Sequence, residues 1–237
     1  MSDALVASSV TKRYGDITSV DELSLKVPSG AIVALLGPNG AGKSTTMKMC
    51  AGFIAADSGR IIIDGHDIVS DRDAARRAAT FLPENVVLYE ELSGLENLGH
   101  LLAIGTGLRL SEDKLEHALL AAGLQSEAFN RRASTYSKGM RQKVGLALAL
   151  SRQSALLLLD EPTSGLDPHS AADFNTALRH TASKGVGILM ATHDIWRARE
   201  VATHVLVMTR GRIVLTLDPA NLSAEEIEKR FFLEASA

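Results

Sequence analysis

The chain has 237 residues, 46% of them hydrophobic, with a formal net charge of -3 and a pI near 6.2. That length and apolar content suffice to bury a full core, and the mild acidity supplies no global basic field of the kind that draws in a nucleic-acid backbone. Cys50 is the only cysteine, which excludes an intrachain disulfide framework and a cysteine metal cluster and suits a reducing compartment, with Cys50 a small buried hydrophobe on a helix.

The amino-terminal Met-Ser-Asp-Ala-Leu-Val has neither a cationic leader nor a long apolar run, so no secretory signal is expected. No later apolar run approaches the roughly 18 residues of a membrane helix. Alternating stretches at 4–14, 18–28 and 59–64 predict antiparallel strands. The run 31–36, Ala-Ile-Val-Ala-Leu-Leu, predicts a strand, as do 155–159, 186–191 and 204–208. Their continuous apolarity is that of strands buried on both faces. Helices are expected at 43–52, 170–183 and 195–202, and 204–217 reads as a late hairpin around Arg210-Gly211. This alternation implies an α/β fold with a mostly parallel core. Between 86 and 150 the composition turns to Leu, Ala, Glu and Lys, with helical periodicity over 93–104, 112–122 and 139–151, which predicts an inserted helical subdomain. The tail 223–234 reads as an amphipathic helix with Ser223 and Glu226 in capping-box spacing.

Gly37-Pro38-Asn39-Gly40-Ala41-Gly42-Lys43-Ser44-Thr45 fits G-x-x-x-x-G-K-[ST] between the strand 31–36 and a helix. Glycines there let backbone N–H groups curl around phosphate oxygens, Lys43 reaches the outer phosphates, and Ser44 is placed to ligand Mg²⁺. The strand ending Leu-Leu-Leu-Leu-Asp160-Glu161 supplies two acids. Asp160 is the expected Mg²⁺ partner, directly or through water, and Glu161 the expected general base for a water attacking the terminal phosphate. His193 follows the strand 186–191 and is placed to point a ring nitrogen at that phosphate. Ser137, before a helix whose first turn holds Gly139, reads as an N-cap that leaves backbone N–H groups open to an anion. The other histidines lack metal-ligand spacing.

These motifs, in this order, resemble the nucleotide-binding subunit of an ABC transporter over nearly the whole chain. Gly37–Thr45 is similar to Walker A, Leu156–Glu161 to Walker B, Ser164–Asp167 to the D-loop and His193 to the switch histidine. Tyr14 falls on the aromatic position that stacks on adenine in such proteins. Ser137-Lys-Gly-Met-Arg141 falls on the signature, usually Ser-Gly-Gly-Gln, which in relatives contacts the γ-phosphate of ATP held by the opposite subunit. Lys138 and Met140 depart from it, and Lys138 reads either as an added anion-binding cation or as a solvent-facing side chain. Glu84, in Phe81-Leu-Pro-Glu-Asn85, stands where the family has glutamine and reads either as a ligand near the metal and lytic water or as a surface acid. Leu-Pro-Glu-Asn and Tyr-Ser-Lys-Gly-Met-Arg-Gln resemble the ATPases of ABC-2-type exporters and the copper-processing ATPases of nitrous oxide reductase maturation.

The resemblance implies one ABC ATPase domain over 1–237: a P-loop NTPase core from 1–85 and 152–222, a helical subdomain at 86–151 and a C-terminal helix at 223–237. It implies ATP and Mg²⁺ as cofactors and a second copy of the chain as partner. It also implies a transmembrane permease docking near 81–100, where Leu82, Val87, Leu88, Tyr89 and Leu92 supply apolar surface, and a peripheral position on the cytoplasmic face of the inner membrane. Direct nucleic-acid contact is not expected. The competing reading is a soluble ABC ATPase acting on nucleic acid or ribosomes.

Overall fold

Three strands, β3 (Ile32–Leu36), β7 (Leu156–Asp160) and β8 (Gly187–Thr192), are buried at every position except the last residue of β7. The computed structural model, which describes residues 2–235, shows why. Successive side chains leave opposite faces of a strand, and both faces are covered. Ile32, Ala34, Leu36, Leu157, Leu159, Ile188 and Met190 enter one apolar core, while Val33, Leu35, Leu156, Leu158, Leu189 and Ala191 enter another. Met1, Ser236 and Ala237 lie outside the described residues, and with them the end of the expected 223–237 tail.

These strands join β6 (Ala79–Leu82), β9 (His204–Thr209) and β10 (Arg212–Leu217) in a six-stranded sheet of order β10-β9-β3-β8-β7-β6. Only β10 runs antiparallel, closing the hairpin expected at 204–217. A second, antiparallel sheet of order β2-β1-β4-β5 holds β1 (Asp3–Tyr14), β2 (Ile17–Pro28), β4 (Ser58–Ile63) and the short β5 (His66–Asp67). It covers one face of the larger sheet together with α1 (Lys43–Cys50) and α2 (Arg72–Ala78).

The inserted subdomain lies between β6 and β7. It holds α3 (Gly94–Thr106), α4 (Glu112–Ala121) and α5 (Lys138–Ser151), and it shares one continuous core with the other face of the sheet. That face is completed by α6 (Pro168–Ser183), α7 (Ile195–Val201) and α8 (Ala224–Ala235). Ser223 caps α8 reciprocally with Glu226, its N–H donating to the carboxylate at 2.7 Å and its hydroxyl accepting from Glu226 N at 3.2 Å. Among the strands and α-helices of the described residues, β5, α2 and β6 had no expectation. Phe81 and Leu82, the first two residues of the Phe81-Leu-Pro-Glu-Asn85 stretch, end the parallel strand β6.

The parallel arrangement places the site. Leu36, Leu82, Asp160 and Thr192 are the last residues of β3, β6, β7 and β8, so the segments that follow them gather at one edge of the sheet. Open parallel sheets bind ligands at that edge.

Candidate nucleotide site

Residues 38–45, Ser19, Glu84, Asp160 and Glu161 line a cavity of about 320 Å³ at this edge. The loop after β3 closes tightly because of Gly42, whose φ of 105° is left-handed and whose missing Cβ would strike the Ser19 carbonyl oxygen of β2. Gly42 offers no side-chain cap to α1, and no acid occupies its first turn. The first amides of α1 therefore remain open to an anion, with the positive end of the helix dipole behind them. Ser19 also donates to Thr45 Oγ1 at 2.9 Å, tying β2 to the start of the helix.

Lys43 is buried, and its ammonium donates to the Gly37 carbonyl at 2.6 Å and the Pro38 carbonyl at 3.1 Å. Burial lowers its pKa, while the Glu161 and Asp160 carboxylates oppose that shift. Asp160 moves the other way: burial raises its pKa first, and the charges of Glu161 and Glu84 add to the rise against the Ser44 hydroxyl bond and Lys43. Ser44 and Asp160 thus stand near each other in the wall of one cavity. A hydroxyl and a carboxylate beside phosphate oxygens form a hard donor set that fits Mg²⁺.

Glu161 takes a left-handed φ of 46°, unusual for a residue with a Cβ, with its N–H donating to the Ala191 carbonyl at 2.9 Å. The turn leads its carboxylate to the end of β8. There Oε1 lies 2.8 Å from His193 Nδ1, and Oε2 accepts from the Thr192 hydroxyl at 3.2 Å. The expected base and the expected phosphate-sensing histidine are therefore hydrogen-bonded to each other.

The remaining expected residues are not at the cavity wall. Tyr14 ends β1, half exposed, with the Lys12 ammonium 5.6 Å from its ring centroid. Ser137 caps α5 by accepting from Met140 N at 3.3 Å. Gly139 is buried, and a Cβ there would sit 3.3 Å from Ser170 Cβ of α6. Lys138 pairs with Glu84, its ammonium 3.2 Å from the carboxylate.

A family profile described as "ABC transporter" matches residues 20–164, which is more than half of the chain. The chain belongs to the ABC transporter ATP-binding family. It is 32% identical over 232 residues to a probable ABC transporter ATP-binding protein of Azorhizobium caulinodans, covering 97% of this chain and 83% of that protein. It is 33% identical over 233 residues to the lipopolysaccharide export system ATP-binding protein LptB of Escherichia coli, covering 97% and 96%. Among solved structures, cbiO1 from Clostridium perfringens, part of the ABC transporter complex cbiONQ, superposes with a TM-score of 0.83 at 25% identity over 99% of this chain and 94% of that one.

In this ABC transporter ATPase, further side chains meet the expected site residues and the loops around them. Ser19 comes from β2, Thr192 precedes His193, and the Ser164 hydroxyl is near enough to Glu84 to help lower its pKa. Fully buried Asn97 donates to the Tyr89, Leu92 and Ser93 carbonyls at 3.0, 3.2 and 2.8 Å and accepts from Tyr89 N at 2.8 Å, pinning the loop before α3. Thr192 had a signal in its adjacency to His193, and Ser164 in the D-loop match. Ser19 and Asn97 had none.

Proposed function

We propose that two copies of this chain close around ATP and Mg²⁺, and that hydrolysis drives a separate transmembrane permease of the ABC-2 exporter kind from the cytoplasmic face of the inner membrane. The observation that carries the reading is Glu161, held by His193 and Thr192 at the rim of the Lys43 cavity. From there its carboxylate accepts a proton from water attacking the γ-phosphate. Lys43 and the open amides of α1 stabilise the charge on the phosphates. Mg²⁺, held by Ser44 and Asp160 with Glu84 nearby, would neutralise the developing charge on the oxygens between the last two phosphates.

Ser137 and Gly139 do not line the cavity of their own chain. This supports their use on a nucleotide held by the second copy, with Tyr14 proposed as the adenine-stacking residue. The export reading draws on the Leu-Pro-Glu-Asn and Tyr-Ser-Lys-Gly-Met-Arg-Gln stretches, which resemble those of ABC-2-type exporter ATPases and of copper-processing ATPases of nitrous oxide reductase maturation, and on the similarity to LptB, an export-system protein by name.

Docking of the permease on 81–100 is supported by a division within that segment. Leu82 and Leu88 are buried in the core and Leu92 is partly buried, whereas Val87 is 83% exposed and Tyr89 49%. Tyr89 rests edge-on against His100 at 5.0 Å, and its backbone is fixed by Asn97. A preformed apolar pair of this kind favours a partner that covers it. Changing Val87 and Tyr89 to glutamate should move the protein from membrane to soluble fractions in cells that make the permease, with ATP affinity unchanged. Retention in the membrane fraction would place the docking surface elsewhere.

A further inference from the structure

The loop after β6 and the start of α5 meet at one ion pair. Lys138 Nζ lies 3.2 Å from Glu84 Oε1, with the two side chains 28% and 46% exposed. Lys138 is the main reason the Glu84 pKa falls below its ordinary value, with the nearby Ser164 hydroxyl acting in the same direction. Beneath the lysine sits Gly165, at a left-handed φ of 68°, where a Cβ would lie 3.8 Å from Nζ. A side chain at 165 would be strained by that φ and would touch the ammonium at ordinary van der Waals distance. Three segments remote in sequence thus converge on one charge pair.

Glu84 also belongs to the cavity wall. That wall presents three carboxylates, of Glu84, Asp160 and Glu161, and one ammonium, of Lys43. A polyphosphate entering there meets like charge. Ser44 and Lys43 face Asp160, and His193 and Thr192 face Glu161, so each of these two carboxylates already has partners at the site. Glu84 depends on Lys138, which itself stands outside the wall.

We propose that Lys138 is a positioning residue for Glu84: it holds and neutralises this carboxylate so that the charge does not oppose the ATP phosphates, and it sets nucleotide affinity without touching the nucleotide. The inference rests on the ATP site alone, not on the dimer, the permease or the direction of transport. A partly exposed pair of this kind is worth up to about 1 kcal/mol, which corresponds to an effect on affinity of up to about fivefold.

The test is titration of the dilute protein with a fluorescent ATP analogue in the presence of Mg²⁺. Lys138→Gln should weaken binding by up to about fivefold, and Lys138→Arg should restore it. In a Glu84→Gln background, Lys138→Gln should have no effect, because the charge it screened is gone. The loss in Lys138→Gln should also shrink as salt rises from about 0.05 to about 0.5 M, which a packing defect would not do. The Glu84→Gln background also guards against misfolding, since a poorly folded Lys138→Gln protein would remain weak there. An unchanged affinity in Lys138→Gln, or an equal loss in both backgrounds, would overturn the proposal.

Discussion

Asp160 and Glu161 are neighbours in sequence and opposites in surroundings. Asp160 ends a buried strand and meets Ser44, while the left-handed turn at Glu161 sends the next carboxylate to His193 and Thr192. Burial raises the Asp160 pKa in the folded chain above its unfolded value. The sign of the linkage follows: its contribution favours the fold below the ordinary carboxylate range, is lost as pH rises through the raised value, and at neutral pH the charged form opposes folding. Asp160→Asn should therefore melt like the parent protein near pH ~3 and at a higher temperature at pH ~7, measured without nucleotide. A variant less stable than the parent at neutral pH would contradict this. At this scale Gly37–Thr45 and Asp160-Glu161 were readable because their chemistry depends on fixed local spacing. Ser19 was not, because its contact with Thr45 exists only once β2 lies beside α1. The Glu84–Lys138 pair was half legible: both residues stood out as departures from the family pattern, but a separation of 54 positions conceals that they touch.

The buried strands were legible because two-sided burial leaves an unbroken apolar run, as in β7 and β8. The elements without expectation lack such a signal. Helix α2, Arg-Asp-Ala-Ala-Arg-Arg-Ala, buries only Ala75 and has no apolar stripe, and β6 is four residues long. Its parallel pairing with β7, from Ala79–Leu156 to Leu82–Leu159, makes it a strand and carries Glu84 to the cavity. Helix α3 lies close to the expected 93–104 because its apolar periodicity is real, with Leu95, Leu98 and Leu102 buried, and Ser93 and Glu96 fix its start by a capping box. The two-core arrangement predicts the response to truncation in β7. Leu158 is fully buried in the core beneath the antiparallel sheet, so Leu158→Ala should cost about 2–5 kcal/mol of unfolding free energy in a urea titration. A loss below about 1 kcal/mol would mean that this face is loosely packed.

At the scale of the whole molecule, Lys43, Ser44, Asp160 and Glu161 line one cavity, while Ser137 and Gly139 stand outside that cavity's wall. The fold was legible as an α/β P-loop core with an inserted helical subdomain. The sharing of a single core by that subdomain and the sheet was not, since it depends on which helix faces the sheet buries. The division of labour between the two surfaces is the basis for a shared site. Glu161→Gln keeps the size and hydrogen-bonding reach of the side chain but cannot accept the proton from water, so ATP should remain trapped between two copies. Gly139→Asp adds a carboxylate at the proposed second phosphate contact and fills the space against Ser170, opposing closure by repulsion and crowding. The decisive measurement is light scattering of Glu161→Gln and of Glu161→Gln/Gly139→Asp with ATP and with ADP. The single variant should double its mass with ATP only, and the double variant should stay monomeric while still binding ATP; a single variant that remains monomeric with ATP, or a double variant that dimerises as well as the single one, would contradict the shared site.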